Sequence, residues 1–530
     1  MKDVLYDRQL RLWGEEGQSS IEASSVCVIG SSALASEILK SLILAGIKSF
    51  CIIDDAVVTM PDLGQNFFIQ RSELGKHRAE VVTHYLKELR DSVIGEYIIQ
   101  SPYDVRDEVL DKLLNFSVVV TTNVSDQTAM KISSRLFPAN VPFITARVYG
   151  LLGYIRVSAN EHTIANNHNE HLKPDLRLDM PFETLAKFIA DSPAITDLTI
   201  EDARHTPYLI LYFKALQDYR LALKDPNAFP SNSKERNAFL STMNDYRNFF
   251  NSEKTIFDNF NEAKAAVYRC LTRTTIPIEV QEILSNSRCN RESKCQEPFW
   301  IICTALRRFV ERHFVLPLAG GIPDMTSDSV RYTKLAALYH EQAIIDANEV
   351  FELTKEVESE RDVGDLISSQ QCYNFCKNAA KIRFMQGTPI GQENLNDIVR
   401  SIAAADNDEV SLSMWLLLLK ASDLFYHQKM RYPGTNGVPW TIDAFDLKQR
   451  IKVLINESEI SEKDRAFNKI PSSAIDEICR YGASEPHVVA SLVGGIAAQE
   501  VIKLATNQYV PVSNAILFDG HTQQTHTFEL

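Results

Sequence analysis

The sequence predicts an α/β protein in which a large, mainly α-helical insertion splits a doubly wound, largely parallel sheet. Short β-branched strands alternate with amphipathic helices over about the first 150 residues, which is typical of a parallel sheet covered on both faces. Residues 26–55 show this pattern most clearly, as a strand, a helix and a second strand. From about residue 166 to residue 474 the apolar spacing is that of helices.

The segment before the first strand, residues 6–14, predicts a short helix that carries two arginines. Arg8 and Arg11 point the same way at this spacing. One interpretation is a solvated face on which either arginine pairs with Asp7 or Glu15, and spacing alone favours it. The other interpretation is an arginine that reaches a phosphate bound elsewhere.

The first strand breaks at Gly30, which predicts a tight turn into the following helix. The second strand closes on Asp54, at the place where a carboxylate normally holds both hydroxyls of a nucleotide ribose. The phosphate loop is defective, because Ser32 and Ala35 stand where glycines would let bare backbone N–H groups approach phosphates. The stretch therefore indicates the fold without indicating a bound nucleotide.

The next elements continue the alternation. A polar loop ends in the predicted apolar anchors Phe67 and Phe68, and a helix opens after Gly75 and Lys76. Strands are predicted at 96–100, 116–120 and 143–146, and the glycines that follow Tyr149 predict a tight, antiparallel return.

Composition limits the classes of function. The 530 residues predict two or three domains. Lys and Arg number 55 against 69 Asp and Glu, and this net charge of -14 disfavours nucleic acid and anionic membranes as partners. We expect no apolar run near the roughly 18 residues of a membrane span and no signal-peptide core, hence a cytoplasmic protein that also enters the nucleus.

The nine cysteines include no Cys-x-x-Cys pair, so neither a disulfide framework nor a zinc ribbon is predicted. Cys289 and Cys295 lie in a polar loop with basic neighbours, which makes them the only plausible nucleophiles. His162, His168 and His171 cluster in a hydrophilic stretch, where a solvated domain connection is a better interpretation than a three-ligand metal site.

Longer helices are predicted at 299–313, 331–358, 411–428 and 488–504. Gly494 and Gly495 reduce the stability of the last helix, so a close neighbour is expected there, either the sheet or a partner chain. The end of the chain, from Asn514 onward, predicts a hairpin that completes the sheet domain.

Seven features together resemble the adenylation domain of the ubiquitin-like-protein activating enzymes, a ThiF/MoeB-like, Rossmann-like fold. They are residues 6–14, the Gly30 turn, Asp54-Asp55, Asn66-Phe-Phe, Gly75-Lys76, Glu485-Pro-His and Gly494-Gly-x-Ala-Ala-Gln-Glu. The resemblance covers roughly the first 165 and last 55 residues. It implies an adenylation-like domain at 1–165, an inserted helical domain at 166–474 without a catalytic cysteine, and a return to the first domain at 475–530.

Departures from the active members of this family point to a degenerate site. Alignment on the Phe67-Phe68 anchor places the uncharged Gln65 where active members carry the arginine that grips ATP phosphates. Val124 stands where they place the aspartate that holds magnesium, and a side chain without oxygen cannot coordinate this ion. Asp126, two residues on at a helix start, faces elsewhere on helical geometry, so we expect no metal in this chain.

The resemblance implies a regulatory, non-catalytic subunit of a heterodimer. Its catalytic partner would hold ATP and Mg²⁺, adenylate a ubiquitin-like modifier of the Nedd type and pass it to a conjugating enzyme. Arg8 would then act in trans on the ATP phosphates of the partner's site, and none of the nine cysteines would be catalytic.

Three alternatives remain at this point. A self-sufficient homodimeric adenylyltransferase is compatible with Gly30, Asp54 and Lys76. A dinucleotide-dependent oxidoreductase would use the same strand–helix–strand, although the missing glycines argue against it. A non-catalytic scaffold would not need the arginines before the first strand.

Overall fold

The computed structural model describes residues 5–250, 257–405 and 410–530. The chain forms two compact units, the first comprising Met1–Ile164 and Phe384–Leu530 and the second Ala165–Arg383. The predicted insertion ends at residue 474, whereas the second unit ends at Arg383. The reason is packing, because the helices after residue 395 bury their apolar faces against strands of the sheet, as described below.

The first unit is built on an eight-stranded mixed sheet with strand order β10-β9-β6-β5-β4-β1-β2-β3, and β7 pairs with β8 in a separate two-stranded sheet. The strands are β1 (Ser25–Ile29), β2 (Ser49–Ile53), β3 (Ile94–Ile98), β4 (Val118–Thr122), β5 (Phe143–Tyr149), β6 (Leu152–Ser158), β7 (Glu161–Ile164), β8 (Arg383–Gln386), β9 (Ala515–Asp519) and β10 (Gln524–Phe528).

Five adjacent strands run parallel, in the spatial order β5, β4, β1, β2 and β3. This confirms the predicted doubly wound sheet. Strand β6 returns antiparallel beside β5, and β9 and β10 form an antiparallel hairpin at the edge, as the sequence predicts. Strand β3 begins two residues before its predicted start and β4 two residues after, a difference typical of sequence-based boundaries.

Helices of both units follow in chain order. Before the second unit come α1 (Asp7–Ala23), α2 (Ala33–Ala45), α3 (Met60–Gln65), α4 (Arg78–Lys87), α5 (Asp107–Leu113) and α6 (Asp126–Leu136). The second unit contains α7 (Glu183–Asp191), α8 (Ile200–Arg204), α9 (Tyr208–Leu223), α10 (Ser233–Phe249), α11 (Asp258–Cys270), α12 (Ile278–Ser285), α13 (Pro298–His313), α14 (Ser329–Glu360) and α15 (Ser369–Lys377). The first unit then resumes with α16 (Asn396–Ala404), α17 (Leu412–Lys429), α18 (Trp440–Glu457), α19 (Lys463–Lys469), α20 (Ser472–Tyr481) and α21 (His487–Thr506).

Apolar cores cover both faces of the parallel strands. On one face the side chains of β1 and β2 pack with α2, α4 and α21, around Val28, Ile38 and Val493. On the other face the alternate side chains of the same strands pack with α5 and α6, around Ile29 and Ile132. Because side chains alternate between faces along a strand, the four buried strands β1, β2, β4 and β5 require apolar residues at nearly every position, whereas the edge strand β3 is largely exposed.

A further core of the first unit explains why its boundary lies at residue 384. Tyr149, Leu152 and Tyr154 of β5 and β6 are buried together with Leu416 and other residues of α16 to α20. These helices therefore belong to the sheet unit by their burial of apolar surface.

Helix α21 corrects one expectation from the sequence. By length and composition alone it is apolar enough to cross a membrane, with a mean hydropathy of 1.6 over its best window. Its Val489, Val493 and Ala497 are buried in the core beside α2, which is the packing of a central helix in a globular unit.

The second unit has its own core, formed mainly by α7, α9, α11 and the first half of α14. The aromatic side chains Tyr208, Tyr212 and Phe260 are fully buried in it. The predicted helices 299–313 and 331–358 correspond to α13 and α14. Asp328 caps α14 by accepting a hydrogen bond from the Arg331 N–H at 2.8 Å.

Candidate functional site

The turn after β1 explains its glycine without any ligand. Gly30 has a φ of +99°, a conformation that side-chain-bearing residues rarely adopt. A Cβ atom there would lie 2.6 Å from the Thr122 Oγ1 atom and 2.7 Å from the Thr122 carbonyl oxygen at the end of β4. The backbone turn and the close neighbouring strand therefore both require glycine here.

Asp54 lies at the carboxyl end of the sheet, as predicted, and is buried. Its Oδ2 atom accepts hydrogen bonds from the Ser31 N–H at 2.9 Å and from Arg78 Nη2 at 3.0 Å, while Oδ1 accepts from the Ala56 N–H at 3.0 Å. Burial acts to raise the pKa of Asp54, but the Arg78 charge and these hydrogen bonds outweigh it and lower the pKa. Both carboxylate oxygens are thus engaged inside the protein.

Arg78, which the sequence analysis missed, organises this cluster. Its Nη1 atom donates to Asp62 at 2.9 Å and its Nε atom donates to the Ser31 hydroxyl at 2.9 Å. The available signal was a second basic residue after Gly75-Lys76, at the first position of α4. Lys76 instead forms a surface ion pair with Glu73 at 2.8 Å.

The amino end of α2, where a phosphate would bind, is held by a carboxylate of the chain itself. Glu485 is buried, and its Oε1 atom accepts hydrogen bonds from the Leu34 N–H at 2.6 Å and the Ser32 hydroxyl at 2.9 Å. Burial raises the pKa of Glu485, and these two hydrogen bonds oppose that shift. A helix amino terminus attracts anions because its N–H groups are unpaired and its dipole is positive there. Glu485, quoted above only as part of a motif, supplies that anion.

The remaining residues of the predicted degenerate site carry no phosphate- or metal-binding group. Gln65 is half-buried at the end of α3, and Ala35, a residue of α2, is fully buried in the core. Val124 is buried among apolar side chains that include Ile29 and Ile53.

Asp126, the carboxylate nearest in sequence to Val124, already has a cation. The Lys420 ammonium of α17 lies 3.0 Å from Asp126 and 3.5 Å from Glu393. Burial alone would raise the pKa of Asp126, but the Lys420 charge lowers it. Val124, Asp126 and Lys420 line one small cavity, so a protein ammonium stands beside the position from which the family's metal ligand is missing.

The residues around Gly30 therefore do not fit a magnesium triphosphate. Glu485 would repel phosphate from the α2 amino terminus, and Lys420 would repel a divalent cation. The internal hydrogen bonds of Asp54 compete with those that a ribose would make. The Asp54–Arg78 and Asp126–Lys420 ion pairs lie inside the protein, where charges are costly to separate.

The two predicted arginines differ in their surroundings. Arg11 forms an ion pair with Asp7 at 2.9 Å. This agrees with the interpretation in which either arginine pairs with Asp7 or Glu15 on a solvated face. Arg8 is exposed on α1 and makes no ion pair with any residue in the described part of the chain. Helix α1 runs past its predicted end at residue 14, with a break at Gly14, where φ is +68°.

Three apolar side chains are exposed beside the degenerate site. Phe67 is 84% exposed, which corrects its predicted role as an anchor, whereas Phe68 packs against the core. On α21, Val488 is 81% and Leu492 is 46% exposed. The Phe67 ring lies 5.6 Å from the ring of His487, the residue before Val488. We call Phe67, Val488 and Leu492 the α21 patch.

The candidate nucleophiles differ in exposure. Cys289 is buried, and burial raises its pKa to about 11, so its thiolate is scarce at neutral pH. Cys295 is partly exposed. Cys270, Cys303, Cys372 and Cys376 lie in helices and are buried.

The three histidines do not form one solvated connection. His162 is buried in β7, and burial lowers its pKa to about 4. His168 and His171 follow in the second unit. Their backbone N–H groups donate to the side-chain oxygens of Asn166 and Asn169, respectively. Within the described ranges no group of three or more metal-binding side chains is found.

Fold and site together define the class of protein. The model of the ThiF family matches residues 6–530. Among similar proteins is the NEDD8-activating enzyme E1 regulatory subunit of Caenorhabditis elegans, which is 50% identical over 99% of this chain and 98% of that protein. The regulatory subunit of Danio rerio is 35% identical over 100% of this chain and 99% of that protein. The Arabidopsis thaliana regulatory subunit AXR1 is 31% identical over 99% of this chain and 96% of that protein. Within the ThiF family, the chain belongs to the NEDD8-activating enzyme E1 regulatory subunits.

Proposed function

We propose that this chain is the regulatory subunit of a heterodimeric enzyme that activates a NEDD8-type modifier. One observation carries the proposal, which is the Glu485 carboxylate on the amino end of α2 in a fold that otherwise serves adenylation. A carboxylate at the phosphate position disfavours binding of ATP by this subunit. Such a subunit is better suited to completing the active site of a partner than to catalysing the reaction itself.

The chemistry belongs to the catalytic partner in this proposal. That subunit holds ATP and Mg²⁺, adenylates the carboxyl terminus of the modifier, takes it over as a thioester on its own cysteine and delivers it to a conjugating enzyme. The buried Cys289, whose pKa is raised to about 11, supports a second unit without thioester chemistry.

Arg8 is the residue through which this chain would take part in the reaction. It is exposed and has no ion-pair partner in the described part of the chain, so its guanidinium is available to an anion on another subunit. We propose that it contacts the ATP phosphates of the partner's site, where a guanidinium stabilises charge as it develops in the transition state.

The α21 patch is the surface we propose for contact with the catalytic subunit. Phe67 and Val488 each expose more than four-fifths of their surface, and large exposed side chains of this kind are typical of interfaces. The patch lies beside the degenerate site, because the Phe67 ring adjoins His487 and His487 lies two residues after Glu485.

Titration calorimetry on the isolated chain tests the proposal. We expect no Mg²⁺-dependent binding of ATP by this chain alone and no adenylation of the modifier, whereas addition of the catalytic subunit gives both. The catalytic subunit by itself is the control for activity that does not need this chain. Tight Mg²⁺-dependent binding of ATP to the isolated chain, or adenylation without a partner, would contradict the proposal.

A further inference from the structure

A deep cleft of the second unit has a charge opposite to that of the protein as a whole. Its volume is about 780 Å³, which lies in the range of ligand-binding sites. Five cationic side chains line it, against a single carboxylate. They are Lys173, Arg236, Arg273, Lys377 and Lys381. In a chain with a net charge of -14, such a concentration of positive charge is not explained by composition.

The two arginines of the cleft are held by aromatic rings and a backbone carbonyl group. Arg236 stacks over the ring of Tyr268 at 5.3 Å, and its Nε atom is buried without a hydrogen bond. Arg273 stacks over the ring of Phe229 at 5.1 Å and donates to a backbone carbonyl. Across the part of the chain that the structure describes, no ion pair involves these two arginines or the three lysines. Hydrogen bonds from the Ser231 and Asn232 N–H groups lower the pKa of Glu235, and the Arg273 charge adds to that shift, so Arg273 is partly balanced. The lining as a whole still carries an excess of positive charge.

The single carboxylate in the lining does not offset them. Asp175 forms an ion pair with Arg177 at 2.9 Å and accepts a hydrogen bond from the Thr274 hydroxyl at 2.9 Å. Its charge is thus already balanced by an arginine that is not part of the lining.

The wall of the cleft is apolar and held in place. Phe229, Pro230, Leu316 and Pro317 lie between the cations. Arg177 donates to the Leu316 carbonyl oxygen at 2.5 Å. This hydrogen bond, together with the Arg177–Asp175 ion pair, connects the Leu316 segment of the wall to the Asp175 segment.

We propose that this cleft binds an acidic peptide segment of a partner protein, with carboxylates on the five cations and an apolar side chain against the proline-lined wall. A peptide suits the site because it brings both kinds of group along one chain. A compact phosphate would use the cations and leave the apolar wall uncovered. The inference does not depend on the proposed role in neddylation.

Fluorescence anisotropy on the full chain tests this binding site. The probe is a labelled hexapeptide of alternating glutamate and leucine, with the glutamine–leucine peptide as a neutral reference. We expect the acidic probe to bind at about 50 mM salt and to weaken as salt rises, since exposed charges are screened. The neutral peptide is expected not to bind.

Matched variants locate the site. Arg273→Gln combined with Lys377→Gln should weaken binding of the acidic probe by about fivefold, the effect of two moderately exposed charge pairs. Lys48→Gln combined with Lys187→Gln removes two exposed cations outside the cleft and should leave binding within about twofold. Thermal unfolding by circular dichroism verifies that both variants are folded.

Two results would overturn the proposal. One is equal loss, or no loss, of binding in the two double variants, because the cleft would then not be where the peptide binds. The other is equal binding by a peptide of glutamate and serine together with complete displacement by pyrophosphate, because the cleft would then select small anions and not an acidic, partly apolar segment.

Discussion

Single side chains of this protein form internal charge contacts at the predicted degenerate site. Glu485 provides an anion at the amino end of α2, Arg78 neutralises Asp54, and Lys420 provides a cation beside Asp126. Losing phosphate-binding glycines removes affinity, but an internal ion pair goes further, because it must be broken before a ligand binds. We propose that these internal charges stand in for those of a nucleotide and its metal.

Arg8→Ala in the reconstituted heterodimer should slow adenylate formation by at least about tenfold if its guanidinium reaches the partner's phosphates. Arg11→Ala is the matched control, since Arg11 lies one turn along α1 and is paired with Asp7. Single-turnover formation of the modifier adenylate is the measurement. Equal rates in the two variants would remove the role in trans.

Asp54→Asn should reduce the free energy of unfolding by about 2–3 kcal/mol at pH 7, because it leaves the half-buried Arg78 charge short of a partner. The pKa of Asp54 is lowered in the folded state, so its stabilisation is present above the unfolded pKa near 4 and is lost as pH falls through the folded pKa. The difference between variant and wild type should therefore shrink in acid.

Urea unfolding followed by tryptophan fluorescence measures this effect at several pH values. Asp55→Asn serves as the control, because Asp55 is the exposed neighbour of Asp54 and should change stability by less than about 0.5 kcal/mol. A constant difference between Asp54→Asn and wild type down to pH 3 would contradict the interpretation.

At the scale of elements, α21 contributes both to the core of the sheet unit and to its exposed apolar surface. Its inner side packs along α2, with Gly494 against Glu37, and its outer side carries Val488 and Leu492 of the α21 patch. One helix therefore connects the sheet core with the proposed interface. The glycine pair that the sequence singled out has two different environments.

Gly494→Ala should destabilise the protein by about 1–3 kcal/mol, because the new Cβ atom would lie 2.8 Å from the Glu37 Cβ atom. Gly495→Ala should instead stabilise it by about 0.5–1 kcal/mol, since a Cβ there meets no atom within 4 Å and alanine favours a helix. Paired denaturation curves check the opposite signs. The same sign for both variants would contradict the close approach of α21 to α2.

At the scale of the whole molecule, this chain consists of two units with separate cores and, we propose, works only as part of a larger assembly. The exposed α21 patch lies in the sheet unit, while the basic cleft lies in the helical one. Two surfaces of different chemistry suit two partners, an apolar contact for a permanent subunit and a charged contact for a transient one.

Val488→Asp should weaken assembly with the catalytic subunit at least tenfold, because a carboxylate in an apolar contact is left without solvent or partner. Leu221→Asp is the control, since Leu221 is 75% exposed on α9 of the other unit. Analytical ultracentrifugation of mixtures with the catalytic subunit measures the change. Undiminished assembly of Val488→Asp would exclude the α21 patch as that interface.

The sequence by itself determined the sheet, because β-branched runs such as 118–122 and the Gly30 turn act through local geometry and burial on both faces. The family resemblance led us to expect missing phosphate- and metal-binding groups at Ser32, Gln65 and Val124. What replaces them was decided only by the tertiary structure. Glu485 meets Leu34 from 451 positions away, and Lys420 meets Asp126 from 294 positions away. Side chains so distant in sequence come together only when helices pack on the sheet, and no local pattern encodes that contact.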